Sequence, residues 1–247
     1  MVRIFISNKG GVADVGLYIA GFAIINTYVG LVFNAMSTDY YPRLAVVAND
    51  NVKCRIEINQ QGEIALLILA PILIVFLVFI DQAVVLLYSK EFTAATQMIY
   101  WAVLGIFFKA VSWAIAFIFI AKSEGKFFLN ELVANIYLLS LNIAGYYFMG
   151  LTGLGISFLV AYFLYFIQVY LLSKSRYAFS LEKRFLKVFL LQFALALACF
   201  LVIQILHKTY AFIFGTGIII TSSIFSFAEL DKRLGLKQLI FKYLKIK

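Results

Sequence analysis

The chain has 247 residues, of which 64% are hydrophobic and 13% charged, and its mean hydropathy is +0.98. This excludes a soluble domain and defines an all-α, polytopic integral membrane protein. The net charge of +9 does not point to nucleic acid, because the basic residues lie between apolar runs rather than along a stripe interleaved with aromatics.

Residues 1–14 are mixed, carry the turn signal Gly10 and Gly11, and lack the apolar core of a cleavable signal peptide. A first span is expected over 15–36, with Tyr40, Tyr41 and Pro42 closing it at an interface. The polar connection 43–63 follows, in which Leu44, Val47, Ile56 and Ile58 predict a short surface helix. The second span, 64–87, contains Pro71, where a kink is expected, and Asp81 near its far end. A third span covers 94–121 and ends in the connection KSEGK. The fourth, 128–149, carries Glu131 near its start and Asn135 and Asn142 on nearly one face. Glycines in 150–155 predict a tight reversal; no strand precedes them and no Lys-Ser/Thr follows, so they are not a phosphate loop.

The fifth span, 156–172, leads into a basic loop over 173–187. Spans six and seven, 188–206 and 210–228, are separated only by His207, Lys208 and Thr209. A basic tail, 229–247, places Leu236, Leu239, Ile240 and Tyr243 on one face against lysines, the pattern of an interfacial helix. The bundle therefore comprises residues 1–228, with about seven spans. Cys54 and Cys199 form no motif or plausible pair, so no disulfide, metal site or cofactor is expected.

The third span holds the most informative residue. Lys109 lies near its middle, more than ten residues from either end, and cannot easily reach an interface. At about 100° per residue, Ala102, Gly105, Ser112, Trp113 and Ala116 share its face. Leu104, Phe107, Val111, Ile115 and Ile118 lie on the other side, which is expected to face lipid. A mid-bilayer ammonium costs a few kcal/mol or more unless it meets water, a carboxylate or an anion, so Lys109 is read as lining a cavity. A lysine paired inside the bundle for packing alone is the alternative.

Sixteen of the 21 Lys and Arg residues fall in the connections 43–63, 122–127 and 173–187 and in the tail. The bias of positive charge toward the cytoplasm then predicts a cytoplasmic carboxyl terminus and extracytoplasmic residues 1–14. Seven spans starting outside are expected of the later part of a longer protein.

Four features carry a family resemblance: RIFISNKGGVADVGLYIAGFAII from Arg3, the helix-closing Pro42, LLYSKEF from Leu86, and KAVSWAIAFIFIAKSEGKFFLNELVAN from Lys109 to Asn135. With the span spacing they cover most of the chain. They resemble polysaccharide flippases of the multidrug/oligosaccharidyl-lipid/polysaccharide exporter superfamily, in particular O-antigen translocases. The resemblance implies a two-lobe exporter in the bacterial cytoplasmic (inner) membrane, of which this chain is the carboxyl-terminal lobe. The implied cargo is a polyprenyl-diphosphate-linked oligosaccharide used for O-antigen, lipopolysaccharide or other surface polysaccharide. The implied partners are membrane lipids, the missing amino-terminal lobe and glycan-assembly proteins.

In that setting Lys109 would neutralise diphosphate or acidic sugar, and Asn26, Asn135 and Asn142 would meet sugar hydroxyls. Each asparagine serves as readily in an interhelical hydrogen bond. Arg3 would help at the outer mouth or act as an interfacial anchor, and Asp81 is a gate, a coupling-ion site or a solvated carboxylate. A multidrug-type exporter of related fold is the nearest alternative. A membrane-embedded enzyme of glycan assembly is disfavoured, since His207 abuts Lys208 in a minimal hairpin and no catalytic constellation is evident. An assembly subunit without cargo would tolerate alanine at Lys109.

Overall fold

The computed structural model describes residues 1–125 and 127–235. It contains α1 (Val2–Val46), α2 (Asn51–Leu87), a 3-10 turn (Lys90–Ala95), α3 (Thr96–Ala121), α4 (Phe127–Tyr177), α5 (Lys183–Ile205) and α6 (Lys208–Leu234). Among the described residues, six helical segments are long and apolar enough to cross a membrane. Helices suit that solvent because each satisfies its own backbone N–H and C=O groups where no water is present.

Two of these helices change direction at a glycine. In α1 the break falls at Gly11 (φ 85, ψ 177), within the expected Gly10–Gly11 turn, but residues 2–10 before it are helical rather than mixed loop. In α4 it falls at Gly150 (φ 59, ψ −142), a left-handed conformation that a side chain would disfavour. A straight helix would place Asn130 and Gln168 about 57 Å apart at 1.5 Å per residue. Instead, Gln168 Nε2 donates to Asn130 Oδ1 at 2.6 Å, and Ser157 Oγ donates to Asn142 Oδ1 at 2.8 Å. The limbs 127–149 and 151–177 are therefore an antiparallel hairpin, which gives the bundle seven apolar limbs.

Close approach at the hairpin's tip depends on small residues. A Cβ on Gly153 would lie 1.9 Å from the Gly145 carbonyl oxygen, a backbone atom that cannot rotate away. Gly153→Val is thus expected to cost about 1–3 kcal/mol, the range for overpacking a filled interior. Gly217, with open space around its Cβ position, supplies the control: Gly217→Ala should hold or raise the thermal midpoint of the detergent-solubilised protein while Gly153→Val lowers it.

The connection expected over 43–63 is almost entirely helical. Helix α1 continues through Pro42 to Val46, and α2 begins at Asn51, well before the expected 64. The Asp50 side chain caps α2 by accepting from the N–H groups of Val52 and Lys53 at 2.9 and 3.1 Å. Those bonds, the one from Lys53 first, hold the Asp50 carboxyl below its ordinary range. Polar residues tolerate helix here because they bond to each other: Arg43 reaches Asp39, Glu57 and Gln61 at 2.8, 2.5 and 2.9 Å. Helix α2 also continues through Pro71.

At the same end of the bundle Glu63 is 1% exposed and is held by Arg233 at 2.5 Å and Arg184 at 3.1 Å, which ties α2 to α5 and α6. Arg184 bridges onward to Glu229 at 3.1 Å. Asn59 accepts from the Glu182 N–H at 2.8 Å, and Arg176 pairs with Glu124. The basic connections thus gather at one end of the molecule. The expected tail 229–247 begins within α6, and its residues from 236 onward lie outside the described residues, as does Lys126.

Helix α3 is the centre of the bundle, packed on α1, α2, α4 and α5. In its most apolar window 67% of residues are buried within the protein, against 22% for α6. This corrects one expectation. Leu104, Phe107, Val111, Ile115 and Ile118 do not face lipid; all are at most 2% exposed, inside the main core. Lipid tails are as apolar as leucine, so hydrophobicity alone does not separate a lipid-facing side from a core-facing one.

Candidate functional site

Lys109 lies about 20 Å along α3 from Thr96 and about 18 Å from Ala121, near the midpoint of the helix. Of the face expected to line a cavity, Lys109, Trp113 and Ala116 border one of about 480 Å³ between α3 and the α4 hairpin, whereas Ala102, Gly105 and Ser112 are buried in packing. From α3 come Lys109, Trp113 and Phe117; the first limb of α4 adds Glu131, Asn135 and Tyr137, and the second adds Tyr162 and Tyr165. The cavity follows α3 from Lys109 to Ile120 and α4 back to Phe127, so it occupies the half of the bundle nearer the basic end.

Among the described residues, neither Lys109 nor Glu131 enters an ion pair. The ammonium instead lies over the faces of Tyr162 and Phe158, with Nζ 5.2 and 5.8 Å from the ring centroids. Cation–π contact with two rings offsets part of the desolvation cost, and among the described residues the ammonium makes no hydrogen bond. Glu131 accepts a hydrogen bond from Tyr165, which fixes the carboxylate against the second limb. The Tyr137 hydroxyl, in the same wall, is buried without a hydrogen-bond partner. Behind Lys109's neighbours the wall is tied to α1: Trp113 packs on Phe33 at 5.0 Å and Tyr40 at 5.6 Å, and the Tyr40 hydroxyl donates to the Ala114 carbonyl at 2.7 Å.

Of the residues singled out from sequence, the structure brings Lys109 and Asn135 to this cavity. Asn135 is exposed and uses its amide N–H to bond the Glu131 carbonyl at 2.8 Å, which leaves its oxygen unengaged by that bond. Asn142 is buried and bonded to Ser157 across the hairpin, and Asn26 is exposed on α1; neither lines the cavity. Arg3 is exposed in the first helical segment. Asp81 accepts from the Tyr100 hydroxyl at 3.3 Å and lines a different cavity at the other end.

Glu131, Tyr162 and Tyr165 were not expected as site residues. Glu131 precedes Asn135 by one helical turn, so the two share a face, and that spacing was the available signal. The tyrosines of the second limb could be placed opposite only by knowing the pairing of the hairpin.

A bundle of long apolar helices with a charged, aromatic-walled cavity beside its central helix has the architecture of a polytopic membrane protein. No family model matches the sequence, and no curated protein matches it. Among solved structures the chain is similar to "Lipid II flippase MurJ, inward closed conformation", with a TM-score of 0.67 at 15% identity, over 90% of this chain and 48% of that one. The chain therefore spans about half the length of that protein and shares its helical fold.

Proposed function

We propose that the chain is one lobe of a flippase that moves polyprenyl-diphosphate-linked oligosaccharide across the bacterial cytoplasmic membrane for O-antigen or related surface-polysaccharide synthesis. The observation that carries this reading is Lys109: a mid-depth ammonium held by aromatic faces, free of any described carboxylate partner, and open to a cavity. A diphosphate supplies the missing counter-charge, and Asn135 with the nearby tyrosine hydroxyls supplies bonds to sugar. Glu131 in the same wall weakens that attraction enough for release, since transport needs binding that is neither too weak nor too strong. A second lobe closes the cavity, and rocking of the two lobes exposes it to each leaflet in turn. The basic end is cytoplasmic in this scheme, which opens the cavity toward the leaflet where the cargo is made.

The aromatic lining favours a second reading, an exporter of amphiphilic drugs on the same fold. Reconstitution separates the two. With its complementary lobe in proteoliposomes, the protein is expected to translocate a fluorescent polyprenyl-diphosphate oligosaccharide, and an excess of polyprenyl diphosphate should compete. Translocation of a neutral-headed analogue at the same rate, or of a cationic dye alone, would overturn the flippase reading.

A further inference from the structure

A second cavity, of about 1090 Å³, lies at the end of the bundle opposite the basic one, where α2, the Lys90–Ala95 turn, α3, α5 and α6 converge. It is distinct from the Lys109 cavity: Tyr100, in its wall, projects about 180° around α3 from Lys109 at 100° per residue. Two cations line it, Lys90 and Lys208, and among the described residues neither is in an ion pair. Gln97 and Gln204 bridge α3 to α5 across it, the Gln204 amide donating to Gln97 at 3.2 Å. Asp81 brings a carboxylate acceptor.

Gln82, Thr93, Thr96 and Tyr100 add polar groups, and an apolar strip that includes Val78, Val85, Leu86 and Phe212 continues onto the outer surface. Leu86 is 85% exposed, and Phe212 packs edge-on against the exposed Phe79 with centroids 5.2 Å apart. A site for a soluble anion has no need of that flank. Two free ammonium groups at a helix-end rim, amide and carboxylate groups beside them, and an apolar strip descending into the hydrocarbon region match an amphiphile with a phosphate at its neck.

We propose that this cavity holds an anionic phospholipid of the leaflet at this end. Lys90 and Lys208 take the phosphate, and the acyl chain lies along Val78, Val85 and Phe212. Asp81 and the two glutamines accept from headgroup hydroxyls. Because Asp81 repels a bare phosphate and welcomes a hydroxyl donor, the site prefers phosphatidylglycerol to phosphatidic acid.

The test is lipid retention, read by native mass spectrometry of the purified protein after extraction from nanodiscs containing phosphatidylglycerol, phosphatidic acid and phosphatidylethanolamine. Phosphatidylglycerol should be retained preferentially. The Lys90→Ala/Lys208→Ala double variant should reduce its retention about twenty-five-fold, from about fivefold for each lysine beside a lipid phosphate. The charge-preserving Lys90→Arg/Lys208→Arg variant should keep most of it, as should Lys53→Ala at the opposite end, and both guard against a folding artefact. Undiminished retention in the double alanine variant would overturn the proposal. So would displacement of the lipid by glycerol phosphate at equal concentration, which would make this a site for a soluble anion.

Discussion

Under the proposed flippase function, Lys109→Ala introduced into the intact protein is expected to abolish surface glycan at normal protein abundance, while Lys109→Arg retains part of it. A desolvated charge pair that loses one partner costs about 2–5 kcal/mol, so binding of a diphosphate head should weaken at least about thirtyfold. Arginine keeps the charge and can stack on Tyr162, but its planar fork suits a cavity shaped around a compact ammonium less well, hence partial activity. Stability should move little, because Lys109 makes no described ion pair and alanine is a strong helix former. Surface-glycan staining with immunoblotting of the membrane fraction reads both quantities. A fully active alanine variant would reduce Lys109 to a packing residue.

The largest effect on stability is expected at Glu63. Its carboxylate is 1% exposed and carries both Arg233 and Arg184, so Glu63→Ala leaves two guanidinium groups facing each other where α2, α5 and α6 meet. Breaking a buried pair by removing one partner costs about 3–5 kcal/mol. The lower end applies here, since the Arg184 side chain is 44% exposed and can turn to water or to Glu229. The double variant Glu63→Met/Arg233→Met should recover much of the loss, because an apolar pair of similar volume avoids the desolvation cost altogether. Thermal unfolding in detergent should rank the double variant between wild type and Glu63→Ala. A Glu63→Ala midpoint equal to wild type would mean that α6 is fastened elsewhere, for instance through the Gln192–Ser226 hydrogen bond at 2.7 Å.

Much of this architecture is legible in the sequence because the bilayer restricts the options so severely. Residues 64–87, 96–121 and 188–205 are helical in the structure, with 94–95 in the 3-10 turn and Leu206 beyond α5, and the chain reverses at Gly150. What periodicity does not supply is the identity of the second surface. For α3 the apolar face reads the same whether it meets lipid or neighbouring helices, and it meets protein. For 43–63 the charges read as a loop, because the partners that let Arg43 and Glu57 extend a helix beyond the apolar core are fourteen residues apart and specific to this packing. Glu63 likewise finds its counter-charge 170 residues away, on α6.

The candidate site divides along the same line. Lys109 announces itself, since an ammonium that deep is costly in any bundle and its small-residue neighbours share its face. Asn142 and Asn26 carry no such cost, and a buried asparagine paired with Ser157 has the same local sequence as one waiting for a sugar. Glu131 shares a face with Asn135 one turn on, but only the pairing of the hairpin places it against Tyr165 beside the cavity that Lys109 enters.

The central claim is that the Lys109 ammonium receives an anionic head group. The most direct measurement is the affinity of a short-chain polyprenyl-diphosphate oligosaccharide for the purified two-lobe protein, compared with Lys109→Ala and Lys109→Arg over a range of salt concentrations. The account predicts at least about thirtyfold weaker binding for the alanine variant, partial recovery with arginine, and a salt dependence that diminishes when the charge is removed. Equal affinity and equal salt dependence for wild type and Lys109→Ala would contradict it.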